Sequence, residues 1–222
     1  MVDRGFKSVM PSRRSIPAAA SRLSSPSLLR SAFDQIATNG AMVAVHRTLL
    51  LDGISPVAAL AALRIPGEPC FFFESARGAS RIARFSFVGA SPSKTITDIG
   101  GELTLTHSTR GEKASVDIFD ALRRDCRAAN AIRPPGLPRF AGGWVGFCGW
   151  DVARGAVGLP RRKEGDPPAD GLPDAVFHRF DDILAFDHVA NRLVVICNVE
   201  IGEAASDAWR LAQSRLDRIE GL

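Results

Sequence analysis

Two alternating segments, Thr95–Ile99 and Glu102–His107, flank the dipeptide Gly100-Gly101. A two-residue glycine turn between alternating arms closes a β-hairpin, so these arms must pair antiparallel. A second hairpin is predicted where Asn191-Arg192 joins Ile183–His188 to Leu193–Val199. Further strands are expected at Met42–Leu51, Cys70–Phe73 and Arg84–Val88, the last alternating Phe85 and Phe87 against Arg84 and Ser86. Ser55-Pro56 before VAALAAL has the serine cap and first-turn proline of a helix that Pro66-Gly67 ends. Residues 116–130 put Phe119, Leu122, Cys126 and Ala129 at helical spacing, with Ser115 as cap, and Pro134-Pro135 stops them. From Glu203 a final helix carries Trp209, Ala212, Leu216 and Ile219 on one face. Strands and hairpins with helices between them, and no βαβ alternation, predict an α+β fold of mainly antiparallel sheet.

The pattern divides the chain into a basic Ser/Arg-rich leader (1–40), a main domain (41–202) and the amphipathic final helix (203–222). Residues 1–30 hold Arg4, Lys7, Arg13, Arg14, Arg22 and Arg30 against the single acid Asp3, while the whole chain carries a net charge of +4. The rest is therefore close to neutral, which argues against nucleic-acid binding. No apolar stretch is long enough to span a bilayer as a helix. The leader reads either as a flexible bacterial extension or as an organellar transit peptide, with a cytoplasmic location expected in the first case. Cys70, Cys126, Cys148 and Cys197 form no CxxC pair and lie among apolar neighbours, which predicts buried free thiols.

Generic catalytic motifs fail one by one. Gly142-Gly143-Trp144-Val145-Gly146 lacks the Lys-Ser/Thr of a phosphate loop. His46, His107, His178 and His188 have no metal-ligand spacing. Asp181 and Asp182 are adjacent, so a strand sends them to opposite faces, away from acid/base partnership. Asp166, Asp170 and Asp174 fall in a Pro/Gly-rich loop and are expected to be solvated.

Three segments, in order, resemble the N-terminal domain of the anthranilate synthase large subunit, component I. The first is Phe71-Phe72-Phe73-Glu74-Ser75, a glycine-containing loop, then Arg84-Phe85-Ser86-Phe87-Val88-Gly89. The second is Leu137-Pro138-Arg139-Phe140-Ala141-Gly142-Gly143-Trp144-Val145-Gly146-Phe147, continuing to Asp151. The third is Leu172-Pro173-Asp174-Ala175 with the Phe186-Asp187-His188 corner, and Asp52 with Ser55-Pro56-Val57 matches ahead of them. Order and spacing agree over roughly residues 42–200.

The resemblance implies an α+β domain that packs against a C-terminal chorismate-binding domain and begins the binding site for the feedback inhibitor L-tryptophan at Glu74-Ser75. A zwitterion in an apolar pocket needs both charges paired. Glu74 can offset the ammonium and the Ser75 hydroxyl can bond either end. Arg84 joins them as a third candidate ligand residue. Alternation separates Glu74 from Ser75 on a regular strand, so the pair requires the strand to end there. The competing reading makes Glu74 the ion-pair partner of Arg84 and Ser75 the start of a turn.

Gly142, Gly143 and Gly146 are expected to permit close backbone packing. The chain has no tyrosine; Phe147 and Trp150-Asp151 stand where the family commonly has Gly-Tyr and Tyr-Asp. That keeps ring packing and forfeits a hydroxyl hydrogen bond.

The family's chorismate- and Mg²⁺-binding residues belong to the C-terminal domain. The resemblance therefore implies no catalytic residue or cofactor here and no activity by this chain alone. It also implies two partners, a separate chorismate-binding chain and a glutamine amidotransferase subunit. The related aminodeoxychorismate synthase large subunit, or a repurposed small-ligand or interaction domain, are the alternatives. The Phe71–Phe73 run and the final helix are expected to leave an uncovered apolar face.

Overall fold

The computed structural model describes residues 28–74, 84–107, 110–114, 117–157, 159 and 171–222. Its strands are β1 (Met42–Leu50), β2 (Cys70–Glu74), β3 (Phe85–Ala90), β4 (Lys94–Ile99), β5 (Glu102–His107), β6 (Arg110–Ala114), β7 (Gly143–Cys148), β8 (Ala175–Phe180), β9 (Asp182–Asp187) and β10 (Arg192–Glu200). Its α-helices are α1 (Arg30–Ile36), α2 (Pro56–Leu63), α3 (Ile118–Ala128) and α4 (Ala205–Glu220), with a 3-10 segment at Trp150–Val157. Sheet A runs β1-β10-β9-β3-β2 and sheet B runs β6-β5-β4-β8-β7. Every ladder in both is antiparallel, as the hairpin signals require. The chain passes between the sheets at Ser91–Ser93 and again at Asp181, so each corner ties one sheet to the other.

Sheet A is buried on both faces. Val43, Val45, Val88, Leu184, Phe186, Val195 and Cys197 meet the apolar sides of α1, α2 and α4. Ala44, Phe71, Ile183, Ala185, Val194 and Ile196 meet Phe180, Val145 and the Leu137–Ala141 stretch. This double burial explains why β1 and β10 read as nearly unbroken apolar runs.

Sheet B buries Ile96, Leu103 and Ala175 under Ile118, Ala121 and Leu122 of α3. α3 is pinned by one carboxylate. Asp125 accepts from Lys94 Nζ at 2.8 Å, Arg179 Nη1 at 2.5 Å and Trp144 Nε1 at 2.9 Å. Burial alone would raise the Asp125 carboxyl, but these three donors together hold it below its ordinary value. A depressed carboxyl stabilises the fold above its unfolded pKa and loses that contribution as pH falls through the folded value. Asp125→Ala is therefore expected to cost about 2 kcal/mol near neutrality, because Arg179 loses its nearest counter-charge. The gap from the native chain should close at pH below about 4 in urea titrations; a pH-independent gap would mean that packing, not charge, holds α3.

Several expectations change. Regular structure starts at Arg30, not near Ala41, and Phe33 of α1 is fully buried, 5.0 Å from the Trp209 ring. The assignment of residues 28–40 to a flexible leader gives way to a helix docked on the core. α3 is capped by Asp117, whose carboxylate accepts from Phe119 N at 2.9 Å, and Ser115 lies outside the described residues. Its buried stripe starts at Ile118, which turns Phe119 and Cys126 outward. Among the cysteines only Cys197 is buried; Cys70 is half-buried, and Cys126 and Cys148 are exposed. Apolar neighbours in sequence do not secure burial at a sheet edge or on a helix's outer face.

The apolar stripe of α4 is covered within the chain. It packs Ala208, Ala212, Leu216 and Ile219 on sheet A. Arg47 holds it through Asp217 at 2.8 Å and Glu220 at 2.5 Å, and Arg215 through Asp182 and the Asn198 carbonyl. Asp174 is no solvated loop acid, since its Oδ2 accepts from Gly100 N at 2.6 Å and clasps the β4–β5 turn. Asp166 and Asp170 lie outside the described residues.

Candidate functional site

β2 is an edge strand, and its last residue is Glu74. Glu74 is exposed. Ser75 and the loop to residue 83 lie outside the described residues. Along β2, Phe71 and Phe73 face the Leu137–Ala141 stretch, while Phe72 faces α2 and α4's side of the sheet. Phe71 reaches Phe180 and Phe73 at ring separations of 4.8 and 4.9 Å. Opposite Phe71 is Gly89, where any Cβ would collide with the Phe71 ring, so a side chain there would expel the phenylalanine from its seat. Phe140 stands edge-on to Phe87 at 5.4 Å and lies 6.5 Å from Phe73.

Arg84 does not pair with Glu74. Its Nε and Nη2 make a two-pronged contact with Asp187, at 3.0 and 2.7 Å, and its guanidinium lies 4.9 Å from the centre of the Phe85 ring. Asp187 is fully buried and also accepts from Arg192 Nε at 3.3 Å and Ala190 N at 3.1 Å. Burial pushes the Asp187 carboxyl up, yet these donors bring it below its ordinary value. Next to it, His188 Nε2 and the buried Ser86 Oγ are 2.7 Å apart, and Ser86 is Glu74's cross-strand neighbour. Two motifs a hundred residues apart, Arg84-Phe85-Ser86 and Phe186-Asp187-His188, are thus one structural clasp behind the end of β2. Their spacing in sequence gave no sign of this contact.

Among the described residues, other polar groups serve neighbouring partners. His178 Nδ1 is 2.9 Å from Thr95 Oγ1, and burial lowers its pKa. Cys197 is pushed up to a thiol that does not ionise near neutral pH, first by burial and then by Asp182. Asp181, at the corner before β9, reaches Arg179, and Asp182, the first residue of β9, reaches Arg215. Asp98, Asp117, Asp151 and Asp174 line a small depression with Gly100 and Gly101. Among the described residues no group of three or more His, Cys, Asp or Glu is arranged to hold a metal, and no helix is long and apolar enough to cross a membrane. Gly143-Trp144-Val145-Gly146 belongs to edge strand β7, with Gly142 just before it; Phe147 within the strand and Trp150 after it are 47% and 91% exposed. The sequence reading missed the ring surface of Phe73, Phe87 and Phe140. Alternation in β2 and β3 could have indicated two of those rings; Phe140 carries no local signal.

The described residues define an α+β scaffold of two antiparallel sheets. No family model matches the chain. Anthranilate synthase component 1 of Streptomyces coelicolor is 35% identical over 168 residues, which is 75% of this chain and 29% of the relative. The protein of that name from Acinetobacter calcoaceticus is 30% identical over 199 residues, 86% of this chain and 39% of the relative. The chloroplastic anthranilate synthase alpha subunit 2 of Arabidopsis thaliana is 27% identical over 201 residues. The crystal structure of anthranilate synthase component I from Streptococcus pneumoniae aligns with a TM-score of 0.44 at 22% identity, over 77% of this chain and 36% of that one. The chain is a homologue of anthranilate synthase component I, matching its N-terminal portion and spanning about a third of the length of these relatives.

Proposed function

We propose that this chain is the tryptophan-sensing portion of an anthranilate synthase component I of tryptophan biosynthesis, with Glu74 and Ser75 at the charged end of the ligand. The observation that carries the reading is that Glu74 is exposed on edge strand β2 while its expected alternative partner, Arg84, is held by Asp187 instead. An exposed carboxylate on a sheet edge suits a ligand's ammonium. Arg84, 42% exposed, keeps the β3 side of the site in place through Asp187.

In this reading the chorismate and Mg²⁺ sites belong to the part of component I that the relatives carry beyond the matched third, supplied here by a separate or continuing polypeptide. The residues described above do not fit a Mg²⁺ site, and no step is assigned to the metal. The apolar surface at Phe147 and Trp150, on the open edge of sheet B, is where we place that contact. A glutamine amidotransferase subunit is the further partner, and the cytoplasm the proposed location.

Calorimetry with L-tryptophan tests the reading. The chain alone is expected to bind on the order of 10³-fold more weakly than a complete site, since half the contacts of a small-ligand pocket are worth several kcal/mol. Glu74→Gln and Ser75→Ala should each weaken binding about tenfold further. Unchanged affinity in both variants would move the site elsewhere, and submicromolar binding by the chain alone would show a pocket complete without a second part.

A further inference from the structure

α2 is apolar all round. Its sequence from Pro56 to Leu63, PVAALAAL, holds no polar residue. A helix without a polar face is ordinarily covered on every side. Here sheet A covers one side, where Ala59 is fully buried and Leu60 and Leu63 pack against the core. The outer side carries Val57, Ala58 and Ala61, with Ile65 just past the helix, all exposed. Val57 is 61% and Ile65 49% exposed. A single exposed valine would mean little. Val57 and Ala61 are four residues apart, so they share one bare side of the same helix.

Charge marks the two ends of that side. Asp52, three residues before the Ser55 cap, and Arg64, the C-cap residue, are both exposed. Neither side chain has an ion-pair or hydrogen-bond partner among the described residues. An acid at one end of an apolar side and a base at the other make that side self-complementary. A two-fold axis across the middle of α2 lays the helix antiparallel on its own copy and sets each Asp52 opposite the other copy's Arg64. Alanine at positions 58 and 61 lets the helix axes approach closely. An unrelated protein would need a base and an acid of its own at matching ends; a second copy supplies both.

We infer that α2 is the contact of a two-fold homodimer, packed antiparallel on α2 of a second copy, with Asp52 and Arg64 paired across the axis at both ends. Neither tryptophan nor a catalytic partner is needed for this contact.

Sedimentation of the full chain at rising concentration tests it. One short helix side is a small interface, so the dimer is expected to be weak, with a dissociation constant on the order of 100 µM. In the native chain the amide resonances that move with concentration should be those of residues 52–65. Asp52→Arg and Arg64→Asp each turn two attractive pairs into two repulsive ones and should weaken association about tenfold or more. Mixing the two variants restores both attractive pairs between unlike chains, so the equimolar mixture should associate as the native chain does. The chain carrying both substitutions should do the same.

Because the moving resonances are read on the native chain, that result does not depend on how either variant folds. A chain that stays monomeric up to about 1 mM, well above the expected constant, would overturn the inference. So would concentration-dependent resonances outside residues 52–65, native association in either single variant, or a mixture of the two that remains monomeric.

Discussion

The purified chain, given chorismate, Mg²⁺ and ammonia, is expected to form no anthranilate above the rate without protein, followed by anthranilate fluorescence. The expectation follows from the proposal that acid, base and metal ligands belong to the remainder of component I. Among the described residues several acids serve a structural partner: Asp125 holds α3, Asp187 holds Arg84, Asp182 holds α4 and Asp174 holds a turn. Enzymes typically accelerate reactions by 10⁶-fold or more, so the difference between the chain alone and the chain joined by a chorismate-binding partner should be of that order. Turnover by the chain alone, surviving repurification and a denatured-protein control, would overturn the assignment of catalysis to another polypeptide segment.

Gly146→Ala is expected to be the most damaging small substitution in sheet B, costing about 3 kcal/mol. β7 lies so close to β8 here that an added Cβ would sit within the Val176 carbonyl oxygen, with Phe177 Cα at 2.7 Å and Val176 C at 2.8 Å. These are backbone atoms of a paired strand, so relief requires separating β7 from β8 and losing their ladder. Gly202→Ala is the control, since nothing lies within 4 Å of its added Cβ. It should stay within about 0.5 kcal/mol of the native chain. Equal urea midpoints for the two variants would show that β7 can retreat freely.

Local chemistry determined much of this fold. The Gly100-Gly101 and Asn191 turns fixed two hairpins because turn geometry depends only on neighbouring residues. Ser55 caps α2 from its own sequence position, accepting from Ala58 N at 3.1 Å. The alternation of Phe85 and Phe87 against Ser86 already separated the two faces of β3, and the order of the motifs pointed to anthranilate synthase component I.

What the sequence could not determine was every choice made between distant segments. Nothing near residue 84 announces that its counter-charge is Asp187 rather than Glu74, because Coulomb attraction selects by distance in space and the two strands meet only in the sheet. Phe33 lies in a stretch with no strong local pattern, and only Trp209 and the face of sheet A turn it into a core residue. Cys126 and Phe119 fit a helical stripe as well as Ile118 does, and the start of α3 at Asp117 decided which side met sheet B. The ring surface of Phe73, Phe87 and Phe140 belongs to the same class. Its members come from three separate segments, and packing alone brings them to one edge.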